Sequence, residues 1–131
     1  MEGGLMVPVV KGADKKSIIE IGKEAKEMAE KARERRIDLA DSKGGTFTIT
    51  NVGVLGGVFA TPIPNHPEAA ILATGRILEK PCVWKGKIEA RKILPLSLTF
   101  DHRILDGAEA ARFMNDLKAY LEDPNQLLIE E

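Results

Sequence analysis

Leu94-Pro-Leu-Ser-Leu-Thr-Phe-Asp-His-Arg-Ile-Leu-Asp-Gly-Ala-Glu-Ala-Ala-Arg-Phe113 changes its period halfway along. In the first half Leu96, Leu98 and Phe100 point one way and Ser97 and Thr99 the other. That alternation is the signature of a half-buried strand. In the second half an amphipathic helix is predicted from Asp106 to about Glu122, with Ala110, Phe113, Met114, Leu117 and Leu121 on its core face. Asp106-Gly-Ala-Glu109 is a capping pattern at its start, and Asp123-Pro124 stops it. Between the two halves Asp101, His102 and Arg103 crowd three ionisable groups onto the end of the strand. A chain passing from strand to helix through such a cluster needs a tight, specialised turn. Turns at the edge of a rigid sheet are where reactive side chains are often housed.

Upstream, the short apolar run Leu5-Met-Val-Pro-Val-Val10 contains Pro8, which cannot donate to a ladder, and reads as an edge strand or a strand start. A helix is expected from Asp14 or Ser17 to about Arg35, with Ser17-Ile-Ile-Glu20 as a capping box. Ile18, Ile21, Ala25, Met28, Ala29 and Ala32 make its stripe. The mixed charges over Lys26 to Arg36 are the ordinary composition of a solvated helix face. Thr46 to Val52 reads as a strand whose threonines share one face, which holds the Thr50 hydroxyl on a rigid element. Gly53, Gly56 and Gly57 lack the Lys-Ser/Thr ending of a phosphate loop and the dinucleotide fingerprint, so a plain turn is expected. Thr61-Pro-Ile-Pro-Asn-His-Pro67 is a stiff loop that carries His66. Ala69 to Leu78 is expected as a strand, bent or exposed at Gly75-Arg76. Cys82 to Glu89 reads as a hairpin turning at Lys85-Gly86, followed by a long return strand from about Glu89 to Phe100. This order of strands and helices predicts an α/β, two-layer sandwich with a mixed sheet.

Composition narrows the function. A net charge of -1, from 19 basic and 20 acidic residues, offers no electrostatic footprint for nucleic acid or a membrane surface. The single cysteine, Cys82, excludes an internal disulfide and a cysteine-based metal cage, and suits a reducing, cytoplasmic setting. The start, Met1-Glu2-Gly3-Gly4-Leu5, is not a signal segment, and no apolar run reaches the length of a membrane span. His66 has no second histidine near it in sequence, so no metal site is expected.

His102 and Asp106 form the candidate reactive pair. Histidine is the side chain whose unperturbed pKa lies near neutrality, so His102 can take and return a proton. Asp106 either orients it or serves only as a helix N-cap, and the spacing leaves both open. Gly-x-Ser-x-Gly is absent, so the histidine would activate a group on the substrate, for which a thiol is suited. A tetrahedral intermediate would also need a hydrogen-bond donor for its oxyanion, and the Thr50 hydroxyl is one.

The segment Asp101-His-Arg-Ile-Leu-Asp-Gly107 resembles the active-site signature of the dihydrolipoamide acyltransferases, the core components of the 2-oxo acid dehydrogenase complexes. Gly4-Leu-Met-Val-Pro-Val-Val10, Ala13-Asp-Lys-Lys-Ser17, Gly45 to Gly53, Asn65-His-Pro-Glu-Ala-Ala-Ile-Leu72 and Leu96 to Asp101 are similar to the same family in the same order. The resemblance implies a chloramphenicol-acetyltransferase-like fold and transfer of an acyl group between dihydrolipoamide and coenzyme A. It implies that His102 is the general base, that Thr50 bonds the oxyanion, and that Asp106 holds the active-site turn. It further implies a homotrimer with shared sites, His102 of one chain facing Thr50 of its neighbour, and assembly of trimers into a hollow cage. Coenzyme A would be a substrate, the lipoyl domain would act in trans alongside other complex components, and no metal would take part.

By the same resemblance, residues 1–131 correspond to the C-terminal portion of a catalytic domain, N-terminally truncated, without a lipoyl or peripheral-subunit-binding domain. The alternative is a non-enzymatic assembly or remnant domain of that family, lacking a complete substrate pocket.

Overall fold

The structure, a computed structural model, describes residues 5–128. The sequence readings that touch residues 1–4 lie outside them. The chain divides into two compact units between Thr46 and Phe47.

The first unit is built on α1, Ile18–Arg33. Ser17 caps it as expected: its Oγ accepts from Glu20 N at 3.3 Å, and its own N–H donates to Glu20 Oε2 at 2.8 Å. Each half of this box satisfies a donor that the first turn would otherwise leave open. Ile21, Met28, Ala29 and Ala32 form a half-buried stripe, whereas Ile18 is 68% exposed. The run from Leu5 to Val10 is not a strand; Val9 donates to the Asp41 carbonyl at 2.8 Å, and no ladder partner lies beside it among the described residues. An apolar run marks a segment able to pair, but pairing needs a second strand.

The second unit holds a three-stranded sheet in the order β1-β2-β5. Here β1 is Thr48–Asn51, β2 is Ala70–Thr74 and β5 is Leu96–Phe100. β1 runs parallel to β2, with Thr50 opposite Ala73; β5 runs antiparallel, with Ser97 opposite Ala73. The sheet is therefore mixed. Its centre is dry: Ala70, Ile71, Leu72 and Ala73 are buried, as a strand covered on both faces requires. Between them β3, Leu78–Trp84, and β4, Lys87–Ile93, form a separate antiparallel hairpin. Lys85 and Gly86 turn it with φ of 49° and 78°, the paired positive angles of a two-residue turn matched to strand twist.

The long return strand expected from Glu89 to Phe100 is thus two strands in two sheets. Pro95 marks the break: it is buried, has no N–H for a ladder, and accepts from Gly75 N at 2.9 Å. The bend expected at Gly75-Arg76 likewise separates β2 from β3. Gly75 is glycine for a steric reason, because a Cβ there would lie 2.0 Å from the Val58 carbonyl oxygen.

Helix α2, Gly107–Glu122, follows the turn and lies against β5. Ala110 is buried, Met114 and Leu117 are half-buried, and the Phe113 ring meets that of Phe47 at 5.8 Å. The result is a mixed α/β arrangement with two α-helices among the described residues.

Candidate functional site

The site is assembled on the junction between β5 and α2. Asp101 continues the ladder past Phe100, its N–H donating to the Ala69 carbonyl at 2.8 Å. The chain then folds back on it: Ile104 N and Leu105 N both donate to the Asp101 carbonyl, at 3.0 and 3.1 Å. The Asp101 carboxylate closes the other side of the turn. Its Oδ1 accepts from Arg103 N at 2.9 Å and Nε at 3.0 Å, and its Oδ2 accepts from Arg103 Nη2 at 2.6 Å. The Arg103 guanidinium and backbone N–H hold the Asp101 carboxyl down to about pKa 2, with the charge of His66 adding to the effect. Bonding to the carboxylate raises the Arg103 pKa in return.

His102 sits inside this clip, exposed, with its ring against Phe100 at a centroid distance of 5.6 Å and a tilt of 40°. Asp106 lies four residues on as the N-cap of α2. Its Oδ1 accepts from Glu109 N at 2.8 Å, and its N–H donates to Glu109 Oε2 at 3.0 Å. Of the two roles open for Asp106, the geometry supplies the cap. Its carboxylate accepts from the Glu109 N–H, and the hydrogen bonds across the turn itself run between Asp101 and Arg103.

Thr50 is half-buried on β1 and lies two strands away from β5, opposite Ser97 through Ala73. The threonines are the better covered side of β1, and Ile49 on the other side is 67% exposed. His102 stands five residues beyond Ser97, in the turn past the end of the strand at the opposite edge. At strand rise and spacing the end of the ladder at Asp101 is roughly 13 Å along the sheet and ~10 Å across it from Thr50, or about 16 Å in all, and the turn that bears His102 begins there. The chain therefore does not bring Thr50 and His102 together. His66, in the loop before β2, lies near enough to Asp101 to add to the lowering of its pKa. Its nearness to the turn was not legible in sequence, because 35 residues separate it from Asp101.

The glycine loop forms no phosphate cradle. Gly53–Leu55 is a 3-10 turn closed by Gly56 at φ 87°, and a Cβ on Gly53 would meet the Gly75 carbonyl oxygen at 2.6 Å. Trp84 is covered by the Arg91 guanidinium, 4.0 Å from the ring centroid. Among the described residues no group of three His, Cys, Asp or Glu side chains is placed to hold a metal, and no helix is long and apolar enough to cross a membrane.

A strand ending in a clipped histidine turn, a capped helix after it and a hydroxyl strand in the same mixed sheet describe a class. The chain belongs to the family of the 2-oxoacid dehydrogenases acyltransferase (catalytic domain), which it matches over residues 1–129. It is 52% identical, over 129 residues, to the dihydrolipoyllysine-residue acetyltransferase component of the pyruvate dehydrogenase complex of Bacillus subtilis (strain 168). That match covers 98% of this chain and 29% of the relative. Among solved structures it is similar to the dihydrolipoamide acetyltransferase of Azotobacter vinelandii, with 45% identity and a TM-score of 0.89. That structure comes from work on a serine, a histidine and an asparagine in the catalytic mechanism of the Azotobacter enzyme. The cubic core of the pyruvate dehydrogenase multienzyme complex gives 44% identity and a TM-score of 0.89. Both matches cover 95% of this chain and 51% of the solved chain. The chain thus spans about half of the solved relatives and under a third of the curated one.

Proposed function

We propose that this chain forms the C-terminal part of the catalytic domain of a dihydrolipoamide acyltransferase, with a chloramphenicol-acetyltransferase-like fold. It moves an acyl group between dihydrolipoamide and coenzyme A. His102 takes the proton from the attacking thiol. The thiolate adds to the thioester carbonyl, and the oxyanion accepts a hydrogen bond from the Thr50 hydroxyl. Collapse expels the other sulfur, which recovers the proton from His102. The lipoyl group arrives on a separate domain or chain, coenzyme A is the second substrate, and no metal takes part.

One observation carries this reading. His102 follows Thr50 by fifty-two positions and precedes Asp106 by four; the serine, histidine and asparagine studied in the Azotobacter enzyme stand at the same intervals. Threonine keeps the hydroxyl of serine, and aspartate caps a helix as well as asparagine does. The separation of Thr50 from His102 in one chain supports a site shared between copies of a homotrimer. The likeness to a cubic core supports the assembly of trimers into a cage.

The test is conversion of acetyl-coenzyme A to free coenzyme A in the presence of dihydrolipoamide, followed by chromatography. His102→Ala should lower kcat by about 10²–10⁴. Full activity in that variant refutes the general-base reading. An assembled but inactive wild-type protein would instead mark a non-enzymatic assembly domain.

A further inference from the structure

We propose that Asp101 and Arg103 are positioning residues for His102, clamping from both sides the one residue that lies between them. This rests on His102 being the base, and it extends that reading to two residues with no role in the proton transfer itself.

The argument starts from what the clip does not do. The Arg103 side chain is 85% exposed and that of Asp101 is 23% exposed. Exposed ion pairs add little to stability, because solvent screens them and two side chains lose freedom to make them. Stability therefore does not account for a fork-to-carboxylate pair two residues apart. Its geometry accounts for itself differently. Arg103 N and Nε both reach Asp101 Oδ1, at 2.9 and 3.0 Å, while Nε and Nη2 reach Oδ2 at 3.1 and 2.6 Å. A guanidinium used this way is planar and fixes direction as well as distance. The loop so closed encloses His102 alone.

Asp101 is in turn tied to the sheet through Ala69, and the backbone beyond it is tied back through Ile104 and Leu105. The hydrogen bonds that fix the turn are thus made by residues flanking His102. The imidazole is left exposed, with the Phe100 ring beside it. A base held by its neighbours keeps its own ring nitrogens available for a substrate proton. A base that must meet a thiol within hydrogen-bond reach loses rate steeply when its mount loosens, about a hundredfold for a displacement near 1 Å.

The experiment uses the full-length protein in its native assembly. Arg103→Lys keeps the charge and loses the fork, Arg103→Met loses both, and Asp101→Asn keeps one acceptor and loses the charge. Each is made alone and with His102→Ala. Positioning predicts a kcat at least tenfold lower in Arg103→Met, with KM for acetyl-coenzyme A and for dihydrolipoamide and the assembly state unchanged. It predicts a smaller loss in Arg103→Lys. It also predicts no further loss when either change is added to His102→Ala, since nothing is left to position. Wild-type kcat in folded Arg103→Met and Asp101→Asn overturns the proposal while leaving His102 as base. Full activity of His102→Ala itself overturns the base assignment and the positioning role with it. A further loss on the His102→Ala background overturns it too, since the clip would then serve the fold at large.

Discussion

If the site is shared, two inactive variants should restore each other. Thr50 lies about 16 Å from the strand end that bears His102 in one chain, too far for one thioester group to bond both. A site formed by His102 of one copy and Thr50 of the next is complete wherever a Thr50→Ala chain precedes a His102→Ala chain around the ring. In an equal random mixture each interface has that order with a probability of about one quarter, whatever the closed symmetry. Alone, Thr50→Ala should lose about 10²–10³ in kcat, the usual cost of removing one oxyanion donor, and His102→Ala at least as much. Co-expressed with different affinity tags and purified through both, which removes unmixed trimers, each mixed trimer keeps one complete site of three and should recover about a third of wild-type kcat, far above either parent. The readout is acetyl-coenzyme A consumption normalised to protein. Activity at the parental level in a verified mixed assembly refutes the shared site. So does a fully active dilute monomer.

Other perturbations test parts of the same frame. Asp106→Ala removes a cap with both halves of its box formed and should lower stability by about 1 kcal/mol, read as a fall in thermal midpoint, while Asp106→Asn leaves it nearly unchanged. The Asp101 carboxyl is held down from 3.8 to about 2. Its folded pKa lies below the unfolded one, so its contribution is full above the unfolded value and is lost as pH falls through the folded value. The pair is screened by solvent, so the effect is small: the thermal midpoint should fall slightly between about pH 4 and pH 2, and Asp101→Asn should remove that slight part of the fall. Gly22 and Gly75 should respond in opposite directions. A Cβ at Gly22, inside α1, meets nothing within 4 Å, so Gly22→Ala should stabilise by about 0.5–1 kcal/mol. A Cβ at Gly75 strikes the Val58 carbonyl at 2.0 Å, so Gly75→Ala should destabilise by about 1–3 kcal/mol; chemical denaturation measures both.

Local chemistry was legible in the sequence. Ser17 with Glu20 and Asp106 with Glu109 cap the two helices, and Lys85-Gly86 turns the hairpin, because each signal acts within four residues. Alternation around Leu98 gave β5 for the same reason. What failed needed partners. The run from Leu5 to Val10 has the look of a strand and finds no ladder among the described residues. Pro95 was visible, yet a run of apolar residues on both sides concealed its power to split one strand between two sheets. Periodicity identified Ile18 and Phe113 as apolar-face residues, and they are 68% and 44% exposed. A pattern says that a face is apolar; it does not say which chain covers it. The candidate site divides in the same way. His102 and its turn were readable as a charge cluster at a strand end. Register set the distance to Thr50, and the folding of the loop before β2 set the approach of His66 to Asp101.

The hairpin has a practical consequence for measuring any of this. The protein has one tryptophan, Trp84, and it sits at the tip of β3 under the Arg91 guanidinium, outside the sheet that mounts His102. Its fluorescence is a private signal of that two-stranded arm. Isolated hairpins open at lower free energy than sheets with a covered core. An unfolding curve followed at tryptophan emission would report the arm letting go while the junction between β5 and α2 was still intact. Circular dichroism at the helical band, dominated by α1 and α2, follows different elements. The offset between the two midpoints is the direct measure of how independently the arm melts.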